Sequence, residues 1–489
     1  MLAVHHPLHS EAAGATRPAP AAASMAAPGR AWVFRSGLAA VALIAIAARV
    51  AAARGDLWLD EIWSIRFAEL AGSAAGVFTR LHHDNNHHLN TLWALVVGDG
   101  GPALAYRLVA VVSAGATLAL VALRPLRGGR FESLAATVLV GASFFLVQYG
   151  SEARGYAPAI FFATAAYLAL DAHLRTRRRT WAAAFAAAAV LGILSHLTFL
   201  FILCGLLAWA AVEIARARRP LDPIALALLA VPVVALGALW LVDLREVAIG
   251  GGPPYDVFGL LRELLAAVFG LPRGPLELLA AIPLLAAAYE LVALARARDG
   301  RAVFFAVAFL APAALIAVHR PAFLATRYFA VCVVPLLVLC AASLARLARR
   351  GLAGRVAAIL LLAAFAGANA LPVRDLVRDG RGRYREAIAF LVASAPPGRV
   401  SVGSDHDFRN GIVLAYHARD VSGWQRLDYV PAGEWRPGSP EWVFRHDLTP
   451  GAVPEPRFIG ENGRAYALVR SFPHAGLSGW TWSLYRLEP

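Results

Sequence analysis

The sequence predicts an all-α polytopic membrane protein of about eleven transmembrane helices, followed by a small soluble C-terminal domain of α/β or α+β type on the outer face. Three observations carry that reading. Hydrophobic residues make up 59% of the 489 residues and charged ones only 16%, with a mean hydropathy of +0.59. That is more apolar surface than a water-soluble chain can hide. Apolar runs of bilayer length recur as far as Leu371 and then stop. The formal charge of +14 rests on arginine alone, since no lysine occurs, and the arginines cluster between apolar runs. Such clusters signal topology and not a nucleic-acid partner.

In chain order, residues 1–31 are rich in Ala, Pro and His without periodicity and read as a disordered cytoplasmic tail. Spans are expected at 32–53, 102–123, 131–149, 155–174, 180–195, 198–214, 222–242, 275–295, 302–318, 328–348 and 354–371. Arginines at 124–130, 175–179, 216–219, 296–301 and 346–355 fall in alternate loops, which the positive-inside rule assigns to the cytoplasm. The other loops then face outward: 54–101, 150–154, the Ser195-His196 turn, 243–273 and 319–327. Loop 243–273 holds a Gly-Gly-Gly-Pro-Pro turn and the amphipathic VFGLLRELLAAVFGL, either an interfacial lid or a simple connector. Residues 32–371 therefore read as a transmembrane catalytic domain, and 372–489 as an extracytoplasmic domain with a helix at 384–395 and strands at 399–404, 465–471 and 480–486. Cys204, Cys332 and Cys340 lie in apolar runs and suggest no disulfide framework.

Chemistry-bearing residues concentrate at 57–90, LWLDEIWSIRFAELAGSAAGVFTRLHHDNNHHLN. Asp60, just beyond the first span, is placed to act as a general base at the membrane surface; a solvated helix start explains the Asp60-Glu61 pair equally well. Arg107 falls inside the second span and needs an acidic or carbonyl partner there.

Further motifs follow in order: QYGSEARGYAPAIFFATAAYLAL at the fourth span, Ser195-His196 at the fifth-to-sixth turn, and Arg327-Tyr328 entering a late span. Together with the Asp-Glu pair and the histidine segment, this order resembles polytopic glycosyltransferases of the GT-C fold that use lipid-phosphate sugars. It looks like the branch of protein O-mannosyltransferases and the aminoarabinose transferases of lipid A, over most of 32–371. The resemblance implies transfer of a sugar from a polyprenyl-phosphate carrier to a hydroxyl of a glycan, lipid or protein acceptor. It implies inversion at the anomeric carbon, an extracytoplasmic site and a bacterial cytoplasmic membrane. On this likeness Asp60 matches the catalytic aspartate, Glu61 its partner and Glu152 the acid at the outer end of the fourth helix. Arg154, followed by Tyr156, would meet the carrier phosphate; its position near a helix N-terminus suits an anion on physical grounds as well. His196 either lines the cavity or is structural, and Arg327 with Tyr328 either reaches a phosphate or snorkels to the interface.

The segment LHHDNNHHLNTLW departs from the His-Pro-Pro pattern of the family, and His87, His88 and Asn90 stand in its place. Two readings remain open. His83 and His87, spaced i, i+4, with Asp84 would bind a divalent metal if the segment is helical. Asp84-Asn85-Asn86 reads instead as a turn, leaving the histidines to bond sugar hydroxyls or phosphate. No other cofactor is suggested. The rival class is a lipid or glycolipid transporter or flippase with an outer domain, which predicts ionisable groups near mid-membrane and helices related by a repeat.

Overall fold

In the computed structural model the described residues are 28–217, 222–248, 250–251, 255–272 and 274–489. The tail expected at 1–31 lies almost wholly outside them, as does part of the Gly-Gly-Gly-Pro-Pro turn. The apolar runs form long helices: α1 (Pro28–Ala52), then after three short helices α2 (Leu59–Ala71), α3 (Ala74–Thr79) and α4 (His88–Val97) comes α5 (Ala103–Leu123). Next are α6 (Arg130–Ala142), α7 (Phe144–Tyr149), α8 (Tyr156–Thr176), α9 (Arg179–Ser195), α10 (Phe199–Arg216) and α11 (Pro223–Val242). The bundle closes with α12 (Val257–Phe269), α13 (Ala281–Arg296), α14 (Arg301–His319), α15 (Ala330–Ala348) and α16 (Leu352–Asp379).

Among the described residues, nine helices are long and apolar enough to cross a membrane, fewer than the eleven runs expected. The run at 180–195 forms a helix of only 17 residues. The run at 131–149 breaks at Ser143, whose extended ψ of 119° separates α6 from α7. Backbone groups freed in apolar surroundings need partners. Arg49, 1% exposed, supplies them from α1 by donating to Gly141 O (2.9 Å) and Val140 O (3.0 Å). Asn369 of α16 accepts from Phe144 N at 2.7 Å, and Ser143 Oγ donates to Val268 O of α12 at 2.9 Å.

The amphipathic segment expected as a lid or connector is α12, and it is wedged into the bundle. Asp256 caps its first turn by accepting from Gly259 N (2.8 Å), while Leu260, Leu264 and Val268 are buried. Gly270 ends it in the left-handed region (φ 69°), where a Cβ would lie 2.6 Å from the backbone of Ala368 and Asn369.

At the opposite end of the bundle the arginine loops converge. Glu290, fully buried, accepts from Arg346 (2.7 Å) and Arg127 (2.9 Å), and Arg301 donates to Leu126 O at 2.7 Å.

Helix α16 runs through Pro372 to Asp379, past the boundary expected at residue 371. Beyond it lies an α/β domain with α17 (Tyr384–Ser394), β1 (Val400–Ser404), α18 (Asp407–Ala418), β2 (Leu427–Tyr429), β3 (Trp442–Asp447), β4 (Arg457–Ile459), β5 (Ala465–Phe472) and β6 (Thr481–Leu487). The six-stranded sheet has the order β2-β1-β3-β6-β5-β4, parallel across β1 with β2 and β3 and antiparallel elsewhere. Alternate residues Val400 and Val402, Trp442 and Phe444, and Trp482 and Leu484 meet Ile388, Leu391 and Val413 in one core. That core also contains Leu59, Ile62 and Ile65, so α2 is sandwiched between the bundle and the domain.

Candidate active site

Helix α2 starts where its own third residue closes the first turn: Glu61 accepts from Trp58 N at 3.2 Å, half of a capping box. The same carboxylate is wholly buried and takes both Nε (2.7 Å) and Nη2 (2.6 Å) of Arg107, the partner that buried arginine requires. Arg107 also donates to the carbonyls of Ala53, Gly55 and Asp56, tying the entire turn before α2 to α5. A crossed pair of bonds joins α2 to the turn before α8. Glu61 accepts from Ala153 N at 2.7 Å, and Glu152 accepts from Trp58 Nε1 at 2.9 Å. The residues next to these anchors, Asp60 and Arg154, are thereby brought face to face.

Arg154 donates to Asp60 Oδ2, and Arg327 Nη2 stands 3.5 Å from the same oxygen. Trp58 forms the wall beside both guanidiniums, at 6.0 Å from Arg154 and 5.8 Å from Arg327. Arg154 Nε donates to His87 Nε2 at 3.1 Å; His87 stacks on His196 (4.5 Å between ring centres), and His196 lies against Tyr156 (4.5 Å). Tyr328 flanks Arg327 at 5.8 Å. Three polar atoms in this group, Tyr156 Oη, His196 Nε2 and Arg327 Nε, are buried without a hydrogen-bond partner among the described residues. A cavity of ≈ 40 Å³ adjoins His87 and His196, room for water.

Burial, then the charges of Arg154 and His196, hold His87 well below the ordinary histidine range. His196 is lowered to about 3 by burial first and then by Arg154 and Arg327, so both rings are neutral near pH 7. Burial opposes ionisation of Glu61, yet Arg107 overrides it and holds the carboxyl below its usual range. Glu152 is raised, by burial first and by the Glu61 charge, against the pull of Arg381.

Of the expected site residues, Asp60, Arg154, Tyr156, His87, His196, Arg327 and Tyr328 come together. Others do not. Glu61 lies apart from them, its oxygens taken by Arg107 and the backbone amides of Trp58 and Ala153 inside a closed interior. Glu152 is likewise wholly buried, bonded to Trp58 and Ser478 Oγ (3.2 Å), with Arg381 3.6 Å away. His88 turns from the site and meets Asp243 at 2.6 Å, while Asn90 donates to Ala153 O at 2.9 Å. The metal expectation for His83, Asp84 and His87 fails on geometry. Residues 83–86 form a turn closed by Asn86 N on His83 O (2.9 Å), so His83 and His87 share no helix face. His83 pairs with Asp84 at 2.8 Å, and His87 Nε2 is occupied by Arg154. Among the described residues no group of three His, Cys, Asp or Glu side chains converges.

Sequence reading missed Asp243, which receives both His88 and His82 (2.7 Å) and pins the loop after α11 onto the histidine turn. It also missed Arg381, fully buried, donating to Gln148 O (2.7 Å) and Ser151 Oγ (3.1 Å). Neither belongs to a motif, and Arg381 sits in what reads as soluble sequence.

Two solved structures of ArnT from Cupriavidus metallidurans match this architecture over 94% of this chain and 98% of theirs. The apo form has a TM-score of 0.53, and the form bound to undecaprenyl phosphate has one of 0.50, both at 14% identity. The chain has the GT-C fold. No protein-family model and no curated protein sequence matches this one.

Proposed function

We propose that the protein is an integral-membrane glycosyltransferase that moves a sugar from a polyprenyl-phosphate carrier to an acceptor hydroxyl, with Asp60 as general base. One observation carries this reading: two guanidiniums converge on a single carboxylate, beside buried donor groups that lack partners. That is an anion site built against a base. The ArnT structure that binds undecaprenyl phosphate supplies the parallel for a lipid-phosphate ligand.

With the donor bound, its phosphate takes Arg154 and Arg327, and Tyr156 Oη and Arg327 Nε gain an acceptor. Asp60, relieved of one competitor, accepts the proton of the incoming hydroxyl as the oxygen attacks the anomeric carbon. The bond from that carbon to the phosphate oxygen breaks, and the guanidiniums stabilise the departing polyprenyl phosphate. A single displacement inverts the anomeric centre.

The site lies at the end of the bundle opposite the arginine loops, which supports an extracytoplasmic site in a bacterial cytoplasmic membrane, with the domain beyond Asp379 on the same side. A transporter would place free ionisable groups along a path through the bundle. Here the span charges Arg49 and Arg107 are used up in carbonyl and carboxylate contacts near the site end.

Purified protein assayed with a panel of polyprenyl-phosphate sugars should transfer one of them. Asp60→Asn should reduce transfer by at least about 100-fold with the fold intact. Full transfer by that variant would end the case for Asp60 as base.

A further inference from the structure

A cavity of ≈ 520 Å³ lies where the end of α1, the start of α5 and the end of α18 meet. Its charges are mixed. Asp56 is satisfied by Arg385, through Nε at 2.5 Å and the backbone N at 2.9 Å. Arg54 and Arg419 line the cavity with exposed side chains, and the charge of Arg419 also acts on Glu69. Against them stand Asp420 and Asp99, the latter accepting from Gly100 N at 2.9 Å.

Below the cavity the surface turns apolar. Leu104 lines it, and Leu108 (44% exposed) and Val112 (60% exposed) follow on the same face of α5, one and two turns deeper. On α1, Leu43 and Ile44 are exposed about three turns below Arg54. The adjacent helices pack through Gly115 and Ile46. Exposed cations, acids and an exposed apolar strip thus succeed one another from the cavity along α1 and α5.

We propose that this cavity seats the headgroup of a membrane phospholipid bearing a phosphate and a primary ammonium, with Arg54 and Arg419 on the phosphate, Asp99 and Asp420 on the ammonium, and acyl chains along α1 and α5. A guanidinium matches phosphate geometry, and a primary ammonium donates the N–H bonds that carboxylates accept. A quaternary ammonium has no such donors, and an anionic headgroup without nitrogen leaves the acids unmatched. The lipid would bridge α18 to α1 and so join the C-terminal domain to the bundle. The site stands apart from Asp60 and does not depend on the transfer reaction.

The test uses the full chain in detergent with equal amounts of phosphatidylethanolamine, phosphatidylcholine and phosphatidylglycerol of the same acyl composition, the bound lipid read by native mass spectrometry. Phosphatidylethanolamine should be retained over both others. Arg54→Ala combined with Arg419→Ala should lower its retention roughly tenfold or more. Asp99→Asn should erode the preference over phosphatidylcholine. Leu104→Trp fills the cavity without removing a charge and should expel the lipid as well, which covers the case of a poorly folded arginine variant. Soluble phosphoethanolamine should not displace the bound lipid. Equal retention of the three lipids, retention unchanged in the double-arginine or the Leu104→Trp variant, or displacement by free phosphoethanolamine would each overturn the proposal.

Discussion

Asp60 and Glu61 are neighbours of identical charge with opposite fates, and the difference is about 100° of helix rotation. Glu61 points into the interior against Arg107, while Asp60 keeps 20% of its side chain exposed and meets Arg154 and Arg327. Arg154 grips both Asp60 and His87, so substituting it should affect donor use before anything else. Arg154→Lys is expected to raise the KM for the lipid-phosphate donor by about tenfold or more in a donor titration, because an ammonium cannot span two acceptors as a planar fork does. His196 yields a pH prediction. Its folded value of about 3 lies below the ordinary histidine range, so below about pH 6.5 the unfolded chain binds a proton that the folded chain does not. Stability therefore falls on acidification from about pH 6.5 towards the folded value, by up to about 1.4 kcal/mol per pH unit for this group. His196→Asn should flatten the decline of the thermal midpoint with acidification; an unchanged slope would show that the ring does not contribute.

At the scale of elements, the crossed bonds Glu61 to Ala153 and Glu152 to Trp58 set α2 against the turn before α8. The clamp depends on a buried charge pair, which is costly to break from one side. Glu61→Gln leaves the Arg107 guanidinium uncompensated and should destabilise the protein by about 3–5 kcal/mol, read as thermal midpoint in detergent. Replacing both partners, Glu61→Gln with Arg107→Met, should recover part of that loss. The break between α6 and α7 follows the same logic. Residues 131–149 are mostly apolar, so hydropathy alone reads one span; the partners that let the helix end at Ser143, Arg49 and Asn369, are 94 residues before and 226 after it.

For the whole molecule, the C-terminal domain is part of the site's foundation. Leu59, Ile62 and Ile65 of α2 share a core with Trp442, Trp482 and Leu484, and the segment at Ser478 reaches Glu152. Chain ending at Asp379 would expose that face of α2 and remove Arg381 as well as Ser478. Such a truncation should insert into membranes yet lose transfer, and hydrogen exchange should show α2 losing protection first.

The sequence by itself determined that the chain is a polytopic helical membrane protein, and it singled out Asp60, Arg154, His196 and Arg327, which the fold brings together. Hydropathy and arginine spacing are local properties, and motif order is one-dimensional. Tertiary structure decided which carboxylate faces the site and which is locked away, because that depends on what covers α2 on each side. It also decided the histidine segment. An i, i+4 spacing implies a shared face only within a helix, and α4 begins at His88, one residue after the second ligand of that pair. The chain's remote contacts, Asp243 to His88 and Arg381 to Gln148, join residues that no sequence pattern links; only packing brings them to the same few ångströms.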